Sequence, residues 1–449
     1  MASQMRNQLR SRPNDGVART LARVLDLVRS QESVTRLQIE RTTELGRAIV
    51  ADRIAALAAL GLVDENMLGN ATGGRAPRLV RFNRNAASIL VATLDQTALG
   101  VAMADLAGNL LMEHHEAIDL SASAEVSTNR LMALFEWLLE KRRGGQSVWG
   151  LGISLPGPVQ TASDDIFLTE TPPMATSWGP FPLVETLMAH FEAPVWLQGS
   201  VETMTMGELK SSDSERAKNM LFVKIGKRIG AGMVIDGNLY RGSQGAAGLI
   251  GQSPMEIYGR MAPLDQVAGS DAIAREGQKS AQNGSSPALE EILDRNGQVT
   301  AIDVGQAAQS GDPVSMEIMA RSGRMIGRAV AGLANLLNPS TIVLSGSVPQ
   351  TDDILLAAVR EAVYGESHPL VTRDLRISSS RLSSSAGLVG AAMVVVEGIF
   401  SPNILRSWVA LGSPLDLPEF QRALAIAREA ISRRAGVREA EPAPPAVPR

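Results

Sequence analysis

The chain has 449 residues, 45% of them hydrophobic and 4% aromatic, and carries a formal net charge of −4. That length allows two or three domains with sizeable cores of Ala, Val, Leu, Ile and Met. The absence of cysteine excludes disulfides, thiolate zinc sites and a thiol nucleophile, and four histidines (His114, His115, His190, His368) speak against a histidine-rich metal centre.

Residues 1–15 are expected to be a flexible N-terminus, polar at its start and without a signal-peptide core. Residues 16–84 read as a winged helix–turn–helix. Within 17–30, apolar residues recur at Leu21, Val24, Leu25 and Val28, one face of a helix. A second short helix is predicted over about 36–42 with Thr35 as N-cap, and a third over 46–60 with Val50, Ile54, Leu57 and Leu60 inward. The tight connection at 43–45 presents the third helix to a major groove. Arg47, Ala48, Ile49, Ala51 and Arg53 then fall on its outer or leading surface, and Arg36 joins them as a candidate DNA contact. Arginine there can grip phosphate or guanine, and an exposed isoleucine suits a thymine methyl. The run GGRAPRL at 73–79 reads as a wing whose Arg75 and Arg78 reach a narrow minor groove. Residues 1–84 hold fourteen Arg, no Lys and eight acidic residues, a net +6, which leaves about −10 on the remainder. A basic module on an acidic body is the footprint of double-stranded DNA as partner. An adaptor domain borrowing the same shape is the alternative; the wing arginines and the charge split count against it.

The body, 86–400, alternates strands and helices, which implies an α/β fold with mixed sheets. Strand-length apolar runs lie at 88–95, 99–105, 148–155, 195–198, 220–225 and 342–344. Helical patterns lie at 127–142, 182–189, 200–209 and 312–337, the last with Pro313 in its first turn, and 384–400 closes the body. No apolar run is read as long enough to span a bilayer, so a cytoplasmic protein without membrane contact is expected. His114-His115 are read as a solvated pair, since neighbours on a strand face opposite ways. A C-terminal extension, 401–434, contains an amphipathic helix with Phe420, Leu424, Ala427 and Ile431 on one face. It either packs on its own domain, the preferred reading, or clasps a partner. The Pro-rich 435–449 is expected to be a disordered tail.

Several motifs in register resemble the ROK family, whose name joins repressors, open reading frames and sugar kinases. They are the winged helix ending in GGRAPRLVRFN, GISLPGPV at 152–159, and IGKRIGAGMVIDGNLYRGSQGAAGLIGQ at 225–252. LANLLNPSTIVLSGSV at 333–348 and GLVGAAM at 387–393 complete the set, and the resemblance covers roughly 16–400. It implies an actin-like, sugar-kinase ATPase (ribonuclease H-like) body of two lobes, hinged near 200 and 385.

The chemistry departs from that pattern. Phosphorylating a sugar needs a carboxylate to take the hydroxyl proton, in an Asn-Asp pair whose matching positions here are Gly199-Ser200. The family's sugar-binding Glu-x-Gly-His is matched by Leu249-Ile250-Gly251-Gln252, and its cysteine-rich zinc loop by SPMEIYGRMAPLDQ. Asp265 aligns with the glutamate closing that segment. The Gly-Thr-Gly-Ile-Gly loop appears as Gly226-Lys227-Arg228-Ile229-Gly230, and Asp-Ile-Gly-Gly-Thr as Leu94-Asp95-Gln96-Thr97-Ala98. Asp95 and Asp265 read either as remnants of function or as ordinary turn caps. Lys227-Arg228 reads as a solvated turn in preference to an anion site. No catalytic residue, metal or cofactor is therefore expected.

The resemblance implies a DNA-binding transcriptional regulator, a repressor, that pairs through its kinase-like body as a dimer or dimer of dimers. Its operator is expected to be an inverted repeat. Trp196, Gln198, Ser200, Gln252 and Asp265 are the residues left to line an altered site for a small-molecule effector, sugar-like or other. An active hexose kinase with an accessory DNA-binding domain is the alternative, and a purely structural protein a third reading.

Overall fold

The computed structural model describes residues 15–31, 33–68, 78–95, 98–118, 123–142, 145, 147–159, 167–168, 170–172, 181–212, 216–257, 259–348 and 353–440. The expectations for 1–14, for Arg75 and for the tail beyond 440 lie outside these residues. Helix α1 (Asp15–Ser30) begins at the last residue of the expected flexible N-terminus. Its predicted apolar face, Leu21, Val24, Leu25 and Val28, is buried. Strand β1 (Val34–Thr35) leads into α2 (Arg36–Thr43). Thr35 caps α2 in a reciprocal capping box with Gln38, so two amide donors that a bare helix end would leave unpaired are satisfied. Glu44, in the left-handed region at φ 54°, stops α2, and α3 (Arg47–Ala59) follows.

Leu60 corrects the predicted core. It is 37% exposed, because Gly61 at φ 71° reverses the chain and sends Leu62 inward in its place. The strands β2 (Val63–Leu68) and β3 (Arg78–Phe82) then close an antiparallel sheet in the order β1-β3-β2, the form of a winged helix.

Two further five-stranded sheets share one plan. The first takes β4 (Ser88–Leu94), β5 (Ala98–Ala104), β6 (Leu110–Ala117), β7 (Val148–Leu155) and β8 (Val195–Gly199) in the order β6-β5-β4-β7-β8. Helix α4 (Ala124–Lys141) links β6 to β7, and α5 (Leu183–Phe191) precedes β8. After α6 (Ser200–Ser211), β9 (Met220–Ile225), β10 (Ile229–Ile235) and β11 (Asn238–Tyr240) begin the second sheet. Strands β12 (Pro254–Ile257) and β13 (Arg260–Pro263) pair as an antiparallel hairpin. Helices α7 (Leu264–Ala268), α8 (Ser270–Gln282), α9 (Pro287–Asn296), α10 (Ala301–Gln309) and α11 (Pro313–Leu337) follow. Next come β14 (Thr341–Ser345), α12 (Asp353–Glu366), α13 (Pro369–Thr372) and β15 (Arg376–Ser379), giving the order β11-β10-β9-β14-β15. In each sheet three antiparallel strands come first, and the central strand then takes a parallel neighbour (β4 with β7, β9 with β14).

The chain ends in α14 (Ala386–Phe400), α15 (Pro402–Trp408) and α16 (Pro418–Ala440). α16 runs six residues into the expected disordered tail. Its Phe420, Leu424 and Ala427 are buried, and Phe420 meets Phe167 edge to face at 5.6 Å, so this helix packs on its own unit. Segment 383–400 corrects another expectation: its 18 residues have a mean hydropathy of 1.6 and suffice, by length and composition alone, to cross a membrane. More than half of that segment is buried inside the protein, as befits a core helix.

The residues form two compact units, one of 1–154, 161–198 and 391–449, the other of 155–160 and 199–390. The winged helix, the first sheet and the C-terminal helices belong to the first. The second has its own core, including Leu221, Val223, Ile326, Val330, Ile342 and Val359, between its sheet and the helices that cover it.

Candidate nucleic-acid interface and effector site

The winged helix sorts its candidate contacts into two groups. Arg47, Ala48 and Ile49 are exposed in the first turn of α3, with Ile49 43% accessible. Gly46 precedes them as an N-cap that supplies no side-chain acceptor, which leaves the amides of that turn for a phosphate oxygen. The Arg47 guanidinium makes no hydrogen bond or ion pair among the described residues. Arg78, the first residue of β3, is exposed as well, and Ala51 is half-buried.

The remaining two arginines find partners within the fold; Arg53 departs from the sequence reading, while Arg36 stays exposed. Arg53 turns away from the leading face: its side chain is 16% exposed, its Nε donates to Thr20 Oγ1 of α1 at 2.7 Å, and its guanidinium also pairs with Asp52. A polar residue one turn further along α3 therefore faces α1, where it fastens the two helices together. Arg36 makes a bidentate pair with Glu65 of β2, Nε to Oε1 at 2.8 Å and Nη2 to Oε2 at 2.7 Å. It braces α2 to the wing and would have to give up that pair to reach DNA. The sequence reading also passed over Leu37 and Arg41, both exposed on α2.

In the second unit, the tight β9–β10 turn is closed by Gly226 N–H donating to the Arg228 carbonyl at 3.2 Å. Asp265, in the first turn of α7 and 8% exposed, holds this turn from beneath. Its Oδ1 accepts the Ile229 amide at 2.6 Å and its Oδ2 accepts Gln252 Nε2 at 3.2 Å, with Arg228 Nη1 3.6 Å from Oδ2. Gly251 lies so close to Asp265 Oδ1 that a Cβ there would collide with it. Gln252 and Asp265 are thus brought together, and their polar atoms brace the β9–β10 turn.

Ser200 opens α6, is 8% exposed, and lies 3.4 Å from the Lys224 ammonium. The nearby acid Glu202 pairs with Arg241 at 3.1 Å. Trp196 and Gln198 belong to the first unit. There the Trp196 indole packs on glycines: a Cβ on Gly150 would fall 2.6 Å from its ring, and one on Gly398 would collide with its N–H edge. That ring serves the core between β7 and α14. The described geometry therefore joins Gln252 to Asp265, places Ser200 on a different element, and leaves Trp196 and Gln198 in another unit. Glu208, which the sequence reading missed, is buried in α6 and accepts the Ser380 hydroxyl at 2.7 Å. Desolvation pushes its carboxyl above the usual carboxylate range, opposed by the hydrogen bonds from Ser380 and the Arg381 amide.

The model of the ROK family matches residues 94–397. A putative xylose repressor of Caldicellulosiruptor sp. (strain Rt8B.4) is 24% identical over 388 residues, 84% of this chain and 95% of its own length. A glucokinase of Halalkalibacterium halodurans is 28% identical over 282 residues, covering 61% of this chain and 84% of the kinase. The crystal structure of a ROK transcriptional regulator, a homologue of the Escherichia coli Mlc protein, superimposes with a TM-score of 0.70 at 23% identity. It covers 88% of this chain and 99% of the solved one. The kinase alignment leaves more than a third of this chain unmatched, whereas the repressor is spanned almost end to end.

Proposed function

The chain belongs to the ROK family, and from that membership we propose that it is a DNA-binding transcriptional regulator, a repressor, without sugar-kinase activity. The observation that carries this reading is the outward-facing first turn of α3, in which Arg47, Ala48 and Ile49 stand exposed. Arg47 reads a base or grips phosphate, and Arg78 holds the DNA backbone. The kinase-like body pairs two copies, so the operator is an inverted repeat read by two winged helices. The chain acts in the cytoplasm, where its operators are.

The case against catalysis is chemical. Ser200 cannot act as a base near neutral pH unaided, and loss of a general base costs roughly 10²–10⁴-fold. Glu202 is held by Arg241, and Asp265 by Ile229, Gln252 and Arg228. Effector sensing is assigned to the second unit, around Ser200, Gln252 and Asp265. A ligand there acts only through differential affinity for two states of the protein.

The test is to incubate the purified protein with genome fragments, with and without a mixed sugar and metabolite extract, and to sequence what is retained. Discrete sites sharing an inverted repeat are expected, and their release by the extract identifies sensing. Salt-sensitive binding without a motif would reduce the protein to an architectural binder. A glucokinase relative supports the kinase alternative. ATP-dependent phosphorylation of a hexose, abolished by Asp95→Ala, would establish that alternative.

A further inference from the structure

The winged helix is seated on the first unit through a chain of rings. Phe82, the last residue of β3, meets Phe400, the last residue of α14, edge to face with centroids 5.7 Å apart. Phe400 in turn meets Trp408 of α15 at 5.7 Å, and Trp408 meets Trp149 of β7 at 5.3 Å. Trp408 is fully buried and its indole N–H donates to the Ile399 carbonyl at 2.8 Å. Arg29, in the last turn of α1, lays its guanidinium 3.8 Å from the Phe400 centroid and 5.8 Å from that of Phe82. On the other side of the same junction, Leu60 at the end of α3 reaches the loop at Gly412.

These contacts differ from those of a tethered domain. A head on a loose linker would leave Arg29 in water. Instead its side chain is 17% exposed, and burial lowers its pKa to about 10. Among the described residues its ion pair is with Asp26, 3.6 Å away in its own helix, and the faces of Phe400 and Phe82 take much of the place of hydration. Edge-to-face ring pairs add directional preference to the buried area. The base is equally firm. α14 lies so close on β7 that a Cβ on Gly152 would fall 2.5 Å from the Ala391 carbonyl, and one on Gly150 2.6 Å from Val395.

Resting on the reading of the protein as a paired operator binder, we propose that Arg29, Phe82, Phe400 and Trp408 determine its specificity for operator spacing. They hold each winged helix at one angle to its unit, so that two heads fit half-sites at a single separation. One added base pair moves a half-site by about 3.4 Å along the axis and turns it by about 35° around it. A head fixed by rings cannot follow that turn, whereas a tethered one can.

The experiment uses the full chain, the wild type beside Arg29→Gln and Phe400→Leu, and an operator recovered by the genome-fragment selection. Binding is measured to that operator, to versions with one or two base pairs added or removed at its centre, and to a single half-site. The wild type is expected to lose at least about tenfold in affinity on altered spacing. The variants should lose threefold or less, while binding the half-site within twofold of the wild type. Arg29→Gln leaves the ring chain whole, so it keeps the test decisive if Phe400→Leu does not fold. Amide exchange across α1, measured without DNA, should quicken in the variants. Variants that discriminate spacing as the wild type does would overturn this proposal and leave the regulator reading standing. Failure of the wild type to select any discrete fragment would overturn both, and exchange as slow as the wild type's in both variants would refute the latch by itself.

Discussion

The leading turn of α3 and the braced β9–β10 turn are both polar stretches to which sequence reasoning assigns ligands, yet the fold treats them oppositely. In the winged helix, Arg47 and Arg78 stay exposed while Arg36 and Arg53 are taken up by Glu65 and Thr20. In the second unit, Gln252 and Asp265 are taken up by each other and by Ile229, and Ser200 lies beside Lys224. A buried polar group must be paired or pay the full cost of desolvation, so the buried Asp265 is held by its fold, whereas the exposed Arg47 and Arg78 remain available to a partner. Residue type and position in a motif do not distinguish the two cases; the identity of the distant partner does.

Breaking the brace should give the largest effect. Asp265→Ala leaves the Ile229 amide without its acceptor and Gln252 without its partner, a loss of about 1–3 kcal/mol in denaturant unfolding. Operator affinity well below the melting temperature should stay as in the wild type. Arg47→Ala should do the reverse, with stability unchanged and operator binding weaker by about 1–3 kcal/mol if it reads a base. An Arg47→Ala protein that binds its operator undiminished removes α3 from the interface. Arg78→Ala is expected to weaken all DNA sequences alike and to lower the slope of log affinity against log salt by about one.

The smallest effect, and the one that sharpens the comparison, concerns Glu208. Its carboxyl is raised by burial, so the folded state retains a proton that the unfolded chain releases at the ordinary carboxylate value. The associated stability is therefore full below the unfolded pKa and lost as pH rises through the folded one. Glu208→Gln keeps an acceptor for Ser380 and removes the charge. It should melt higher than the wild type at pH 8, with the gain shrinking toward pH 4. A gain independent of pH would mean that Glu208 is not protonated in the fold.

Much of the architecture was legible in the sequence, because periodicity is local. The first and third helices of the winged helix have the apolar faces that their spacing implies, apart from Leu60, where one left-handed glycine shifts the inward position to Leu62. The alternation of strands and helices anticipated an α/β body. Side-chain roles were less legible. Arg36 finds its partner 29 positions away and Arg53 33 positions away, and no spacing rule connects such pairs. Trp196 looked like the wall of a site, but two glycines on separate elements make room for its ring in the core. The amphipathic helix at 418–440 attracted notice at the C-terminus, while the short α15, whose pattern is unremarkable, is the element that packs on α1.

That last arrangement orders events during synthesis. The second unit is complete once residue 390 has been made, but the first unit closes only when the helices that follow residue 390 arrive. Chains grow from the N-terminus at roughly 5–20 residues per second, so the winged helix is made well before the segment that seats it. Until Trp408 has left the ribosome, Phe400 and Arg29 lack the floor on which they rest. A chain cut short before α15 would carry a head without a fixed bearing, and so a poor competitor for the sites of finished molecules.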